Sequence, residues 1–402
     1  MDEKLPVRTA LDNLSKLEQL KGQRLGLVTN QTGISAQYRR TSERLAEAGG
    51  IVAALFGPEH GYYGVEQDAI AQDEVERDRW SGTPVYSLYR AVDETKGSDA
   101  NPFGPPPGSL DGLDGLVFDI QDVGVRYYTY PTTLGILMEQ VDLPIYVVDR
   151  PNPLGGIQVE GPFLEKQYSS FVGRYPQVPV QHGLTLGELA LFINRNLLGG
   201  KAQLHVLEMD GWQRDMRWED TGLPWLATSP NLPTLTTARL YPGLCLIEGV
   251  NLSCGRGTTQ PFELVGAPWI TQPEKLAAEL NRLKRPGIHF RDTFFKPIYK
   301  PYAGEICGGV QVHLETGAYR HSPTEIVRSG LLLVATLARL YPDKLDWLVA
   351  HFDRLIGNSQ PRQQIVKSGG DPASLKDLFE QWSVEEASFR TARQECLLYL
   401  DR

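Results

Sequence analysis

The chain has 402 residues, too many for one ordinary hydrophobic core and enough for two domains, since single cores stop growing near roughly 250–300 residues. Its 41% hydrophobic and 22% charged residues are those of a compact globular protein and exclude a largely disordered one. Forty basic against 49 acidic residues, with no Lys/Arg stripe, argue against a nucleic-acid partner, and no apolar run approaches the roughly 20 residues of a membrane span.

In chain order, Met1-Asp-Glu-Lys-Leu-Pro6 lacks the apolar core of a secretion signal, so a cytoplasmic location is expected, the alternative being an exported protein whose signal has been removed. The runs Leu25–Val28, Ile51–Phe56, Leu116–Phe118, Ile145–Val148 and Leu204–Leu207 then read as buried strands. Helix-length segments separate several of them, at Tyr38–Ala48, Thr132–Val141 and Leu186–Leu198, the alternation of a parallel sheet covered by helices. Thr185-Leu-Gly-Glu188 is a capping box, and Ser322-Pro-Thr-Glu325 repeats the device before an apolar helix from Ile326 to about Leu340. The stretch Gly97–Ser109 is too rich in Pro and Gly for a regular element and reads as a surface excursion. After residue 232 the rhythm changes to a Gly/Thr-rich loop, a helix at Pro273–Lys284, a strand at Val310–Leu314 and then mostly helix. The expected architecture is α/β: a Rossmann-like domain over 1–232 and a smaller α+β domain over 233–402 that closes a cleft.

Ligands of parallel sheets bind beyond the carboxyl ends of the strands, so the residues following each run are the candidates. They include Asn30 after the first strand, Glu59 and His60 after the second, Asp119, Asp122, Arg126 and Tyr127 after the third, and Asp149, Arg150 and Asn152 after the fourth. Glu160 is an outlying candidate. Glu59 lies in a turn bounded by two glycines, and its neighbours Phe56, Tyr62 and Tyr63 would desolvate it, which suits a general acid. Asp122 is either a second catalytic carboxylate or a structural partner of Arg126. In the second part, the loop Asn251–Thr259 joins glycines to Arg256, whose guanidinium suits a carboxylate.

Neither G-x-x-x-x-G-K-[ST] nor G-x-G-x-x-G occurs, which disfavours a nucleotide cofactor, and H-E-x-x-H and G-x-S-x-G are likewise missing. No cofactor or metal is expected. Cys245, Cys254, Cys307 and Cys396 form no C-x-x-C pair and read as buried free thiols. Carboxyl chemistry in a polar cleft with aromatic walls, Tyr127, Tyr128 and either Trp225 or Trp269, suits a sugar.

The strings Gly26–Gly33, Phe56-Gly-Pro-Glu-His-Gly61, Asp119–Tyr128, Val148-Asp-Arg-Pro-Asn-Pro153 and Gly255-Arg-Gly-Thr258 closely resemble the exo-β-N-acetylmuramidase family, from about Gly22 to Leu400. The resemblance implies release of N-acetylmuramic acid from non-reducing ends of peptidoglycan fragments, with Glu59 as the catalytic candidate. It also implies a guanidinium for the lactyl carboxylate, Arg256 first and then Arg150 or Arg126. Two rivals stand beside it: a muropeptide-binding protein without activity, and an enzyme using a nucleotide in the Rossmann-like half.

Overall fold

The computed structural model describes residues 6–67, 75–89, 103–315 and 324–399. Ser322 and Pro323 of the second capping motif, residues 97–102 of the Pro/Gly stretch and Leu400 lie outside them.

Seven strands form one sheet: β1 (Arg24–Thr29), β2 (Ile51–Gly57), β3 (Glu76–Arg77), β4 (Pro84–Ser87), β5 (Gly115–Asp119), β6 (Ile145–Val148) and β7 (Leu204–Leu207), in the order β3-β4-β2-β1-β5-β6-β7. All neighbours are parallel except β3 with β4. In the centre Leu27 of β1 sits between Leu55 of β2 and Val117 of β5, and all three are fully buried or nearly so. A strand covered on both faces has no polar side to show, so it reads as a continuous apolar run. The edge strand β3 and its neighbour β4 gave no such signal: β3 has two exposed residues, and β4 starts on a proline. From β1 the chain steps outward to β2 and β4, then returns to β5 on the other side, which puts the switch point between the ends of β1 and β5.

Helices α1 (Thr41–Glu47), α2 (Thr129–Gln140) and α3 (Leu186–Asn196) follow β1, β5 and β6. The α3 capping box forms as read: the Thr185 hydroxyl accepts from the Glu188 N–H at 3.1 Å, and the Glu188 carboxylate accepts from the Thr185 N–H at 3.0 Å. A short turn, α4 (Trp218–Thr221), leads to α5 (Leu235–Leu244).

The second part holds an antiparallel sheet of β8 (Leu264–Ala267), β10 (Cys307–Leu314) and β9 (Ile288–Phe295), with β10 in the middle. Helix α6 (Pro273–Arg282) is followed by α7 (Ile326–Leu340), α8 (Val349–Ile356), α9 (Gln360–Lys367) and α10 (Lys376–Ala392). Helix α7 begins where the sequence placed it, but with Glu325 at the N-cap rather than inside the first turn. Helices α5 and α7 touch through glycines. A Cβ on Gly243 would lie 2.0 Å from the Ile326 carbonyl, and one on Gly330 2.2 Å from that of Gly243.

One hydrophobic cluster runs through both parts, from Phe118 and Val147 of the large sheet to Val310, Leu333 and Phe352. The four cysteines are buried and free. No helix among the described residues is long and apolar enough to cross a membrane.

Candidate active site

Between the carboxyl edge of the large sheet and the second part lies a cavity of about 710 Å³, within the roughly 300–1,000 Å³ range of small-ligand sites. One wall comes from the turn after β2 (Glu59, His60) and the loop after β5 (Tyr127–Thr129). The facing wall comes from the end of α5 and the segment after it (Tyr241, Cys245, Glu248), the Asn251–Phe262 loop and Tyr299–Pro301.

The Glu59 turn has little freedom. A Cβ on Gly57 would meet the Tyr62 backbone nitrogen at 2.6 Å, and His60 and Gly61 both adopt positive φ, 69° and 79°. The Gly61 N–H bonds back to the Pro58 carbonyl at 2.9 Å, and Nδ1 of His60 lies 2.7 Å from the Glu66 carbonyl. The half-buried Glu59 carboxylate makes no hydrogen bond or ion pair with the described residues. Its charge is felt by two phenols: Tyr89, raised first by burial and then by Glu59, and Tyr130, held well above the usual range by burial, Tyr128 and Glu59. The aromatic company differs from expectation. Tyr62 packs into the core with Leu27 and Leu55 and Tyr63 points to Asp78, while the cavity is lined by Tyr127 and Tyr128, the walls read from sequence, together with Tyr241 and Phe262.

Opposite stands a carboxylate that the sequence reading missed. Glu248 Oε1 lies 2.7 Å from Arg256, and the thiols of Cys245 and Cys254 point at its two oxygens at 3.6 and 3.9 Å. Burial and then the Glu248 charge push the Cys254 thiol up to about 12 and Cys245 well above its ordinary value, so both stay protonated donors rather than nucleophiles. The Arg256 guanidinium lies 5.6 Å from the Phe262 ring, and the attraction of Glu248 raises it above its usual range despite burial. The one available signal was a lone charge in the stretch Leu240–Val250, which holds no other charged residue.

Of the site candidates singled out from sequence, Glu59, His60, Tyr127, Tyr128, Asn251 and Arg256 line this cavity. The Asn251 side chain is engaged elsewhere, with the Lys344 carbonyl and the Asp346 N–H. The others meet different partners and are not on its wall. Asp122 is buried; one oxygen accepts from the Gly124 N–H at 2.7 Å, the other has no partner, and burial pushes it up to about 7. It forms no ion pair with Arg126, which instead donates to the carbonyls of Pro162, Val178, Leu355 and Ile356, the last two closing the C-terminus of α8. Asp119 grips Arg150 at 2.5 and 3.0 Å and accepts from the Thr41 hydroxyl. Asn30 bonds to Tyr130 and Thr32, and Asn152 to Leu184 and Leu154. Asp149 accepts from Thr185, Gly187 and Tyr399, and burial pushes it up to about 6. Glu160 accepts from the Arg328 N–H in a buried group with Glu386, and is pushed up to about 7 by burial. Trp225 packs edge-on against Trp218, and Trp269 donates to Tyr302; neither lines the cavity.

Beside Arg150 and Gln121 at the switch point there remains about 20 Å³, room for a water, while a separate pocket of about 250 Å³ lies on the β2 side of the end of β1, lined by Asn30, Arg40, Tyr63 and Trp80. Among the described residues, no three His, Cys, Asp or Glu side chains stand together as a metal site.

The sequence profile "Exo-beta-N-acetylmuramidase NamZ, N-terminal" matches residues 25–236, and its C-terminal counterpart matches residues 239–399. The peptidoglycan beta-N-acetylmuramidase NamZ of Bacillus subtilis (strain 168) is 41% identical over 406 aligned positions, which cover 99% of this chain and 92% of that one. Crystal structures of two DUF1343 family proteins from Bacteroides fragilis share the fold. One has a TM-score of 0.85 at 34% identity, covering 98% of this chain and 99% of the other. The second has a TM-score of 0.74 at 29% identity, covering 99% and 100%. With both halves matched in order, and Glu59 on an open cavity between the parts they form, the chain belongs to the exo-β-N-acetylmuramidase NamZ family.

Proposed function

We propose that this chain is a glycoside hydrolase that removes N-acetylmuramic acid from the non-reducing ends of peptidoglycan fragments, with Glu59 as the proton donor. The observation that carries the assignment to Glu59 is its isolation. Among the acids picked from the strand ends it is the one that faces the cavity, and no hydrogen bond from the described residues engages it. As the bond between the anomeric carbon and the glycosidic oxygen breaks, Glu59 gives its proton to the departing oxygen, and water supplies the hydroxyl that takes its place on that carbon. Glu248 is the other carboxylate on the cavity wall among the described residues. Fixed by Arg256 and two thiols, it serves the anomeric-carbon side of the reaction. Arg256, oriented by Glu248, is the partner for the lactyl carboxylate that distinguishes muramic acid from glucosamine.

The purified chain is tested with a chromogenic β-N-acetylmuramic acid glycoside and with muramic-acid-terminated fragments. Hydrolysis of both, with free N-acetylmuramic acid as a product, is expected. Binding of the sugar with no release from either substrate would establish a non-catalytic wall-fragment receptor instead.

A further inference from the structure

A smaller pocket of about 200 Å³ adjoins the main cavity, and His60 is the residue common to both walls. Its lining mixes polar side chains, Glu66, Glu76 and Arg79, with the rings of Tyr63 and Tyr86. The rings are held from behind: Tyr86 stacks on Phe56 with centroids 5.5 Å apart, and Tyr63 packs edge-on against Tyr62 at 5.0 Å. The bond between His60 Nδ1 and the Glu66 carbonyl pins the boundary between the two spaces.

We infer that this pocket receives the sugar on the leaving side of the scissile bond. The inference rests on the reading of Glu59 as proton donor. A donor must touch the glycosidic oxygen, which lies between the two sugars it joins. Since Glu59 and His60 are consecutive, that oxygen sits at the boundary His60 marks. The terminal muramic acid then fills the main cavity toward Arg256 and Glu248, and the leaving N-acetylhexosamine extends over His60 into the smaller pocket. The lining suits a neutral sugar: carboxylates and a guanidinium for hydroxyl and acetamide groups, ring faces for the C–H surface.

The test uses Glu59→Gln protein, which holds substrate without consuming it, titrated with N-acetylmuramic acid and with the disaccharide in which it is β-linked to N-acetylglucosamine. Adding Arg79→Ala is expected to weaken disaccharide binding by about tenfold, the scale of a lost hydrogen bond to a charged group, while affinity for the monosaccharide changes less than about twofold. Glu76→Ala should give the same split. Both side chains are exposed, so neither truncation opens the core. Equal losses for the two ligands, or an unchanged disaccharide affinity in both variants, would overturn the leaving-side pocket. If the Glu59→Gln protein binds neither sugar, the parent reading falls and the pocket's role with it.

Discussion

Asp119 with Arg150 and Glu248 with Arg256 are the same chemical pair at nearly the same distance, 2.5 and 2.7 Å, yet they occupy opposite kinds of place. The first lies at the switch point with side chains 0% and 8% exposed, its oxygens also met by Thr41 and its guanidinium by the Ile34 carbonyl. The second lies on the wall of a 710 Å³ cavity, with side chains 21% and 25% exposed. In a doubly wound sheet the first address is where a ligand is expected. Here the protein has filled that address with its own side chains and moved the cleft outward, to the turn after β2 and the second part. A charged pair at a strand end is thus informative only together with the atoms that already satisfy it.

The largest effect should come from the sealed pair. Arg150→Ala leaves Asp119 buried and uncompensated, a loss of about 3–5 kcal/mol by denaturant unfolding, while the rate per folded molecule should stay within about twofold. Intact stability with lost activity would reverse the comparison and make the switch point the working site. On the open side, Glu59→Gln should lower kcat at least about a hundredfold, equivalent to about 2.7 kcal/mol, with an unchanged unfolding midpoint. A near-normal rate would reduce Glu59 to scaffold. Arg256→Ala should weaken N-acetylmuramic acid binding about tenfold more than N-acetylglucosamine binding, since only the former carries a carboxylate. Equal losses by calorimetry would leave Arg256 as wall and nothing more.

The smallest expected effect concerns pH. Burial raises Asp122 to about 7 from a model-compound value near 4, so the folded state binds its proton more tightly than the unfolded chain does. The resulting stability is fully present below about pH 4 and is lost as pH rises through about 7. Asp122→Asn should flatten the fall in melting temperature between pH 5 and pH 8, by the equivalent of about 1 kcal/mol after relaxation of the site. An unaltered slope would show that Asp122 does not contribute to it.

Much of the frame was legible. The apolar runs that became β1, β2, β5 and β6 each hold at least four consecutive buried residues and announced themselves so, while β7, at the sheet edge, was read from its apolar Leu204, Val206 and Leu207. Strands β3 and β4 did not, because neither contains a run of buried side chains. In the second part β9 was hidden, because only Ile288 and Phe290 are buried and His289, Arg291, Asp292 and Phe294 are exposed. The site divides in the same way. Glu59 was visible because Gly57 and Gly61 constrain its turn locally, while Glu248 had no motif and came into view only when Arg256 and two thiols converged on it. Arg126, Asp149 and Glu160 looked like ligand-binding groups and are clamps, holding α8, Tyr399 and Arg328.

The sequence alone determined the parallel sheet, the capped start of α3, the thiols' freedom from pairing motifs, and membership of the family through several ordered strings. Each depends on residues a few positions apart, whose backbone geometry and capping bonds are set by near neighbours. Only the tertiary structure decided which acids are satisfied and which face open space. That outcome depends on what distant segments bring to the same point: Thr41 and Arg150 to Asp119, Arg328 to Glu160, and to the Glu59 carboxylate no hydrogen-bond partner among the described residues.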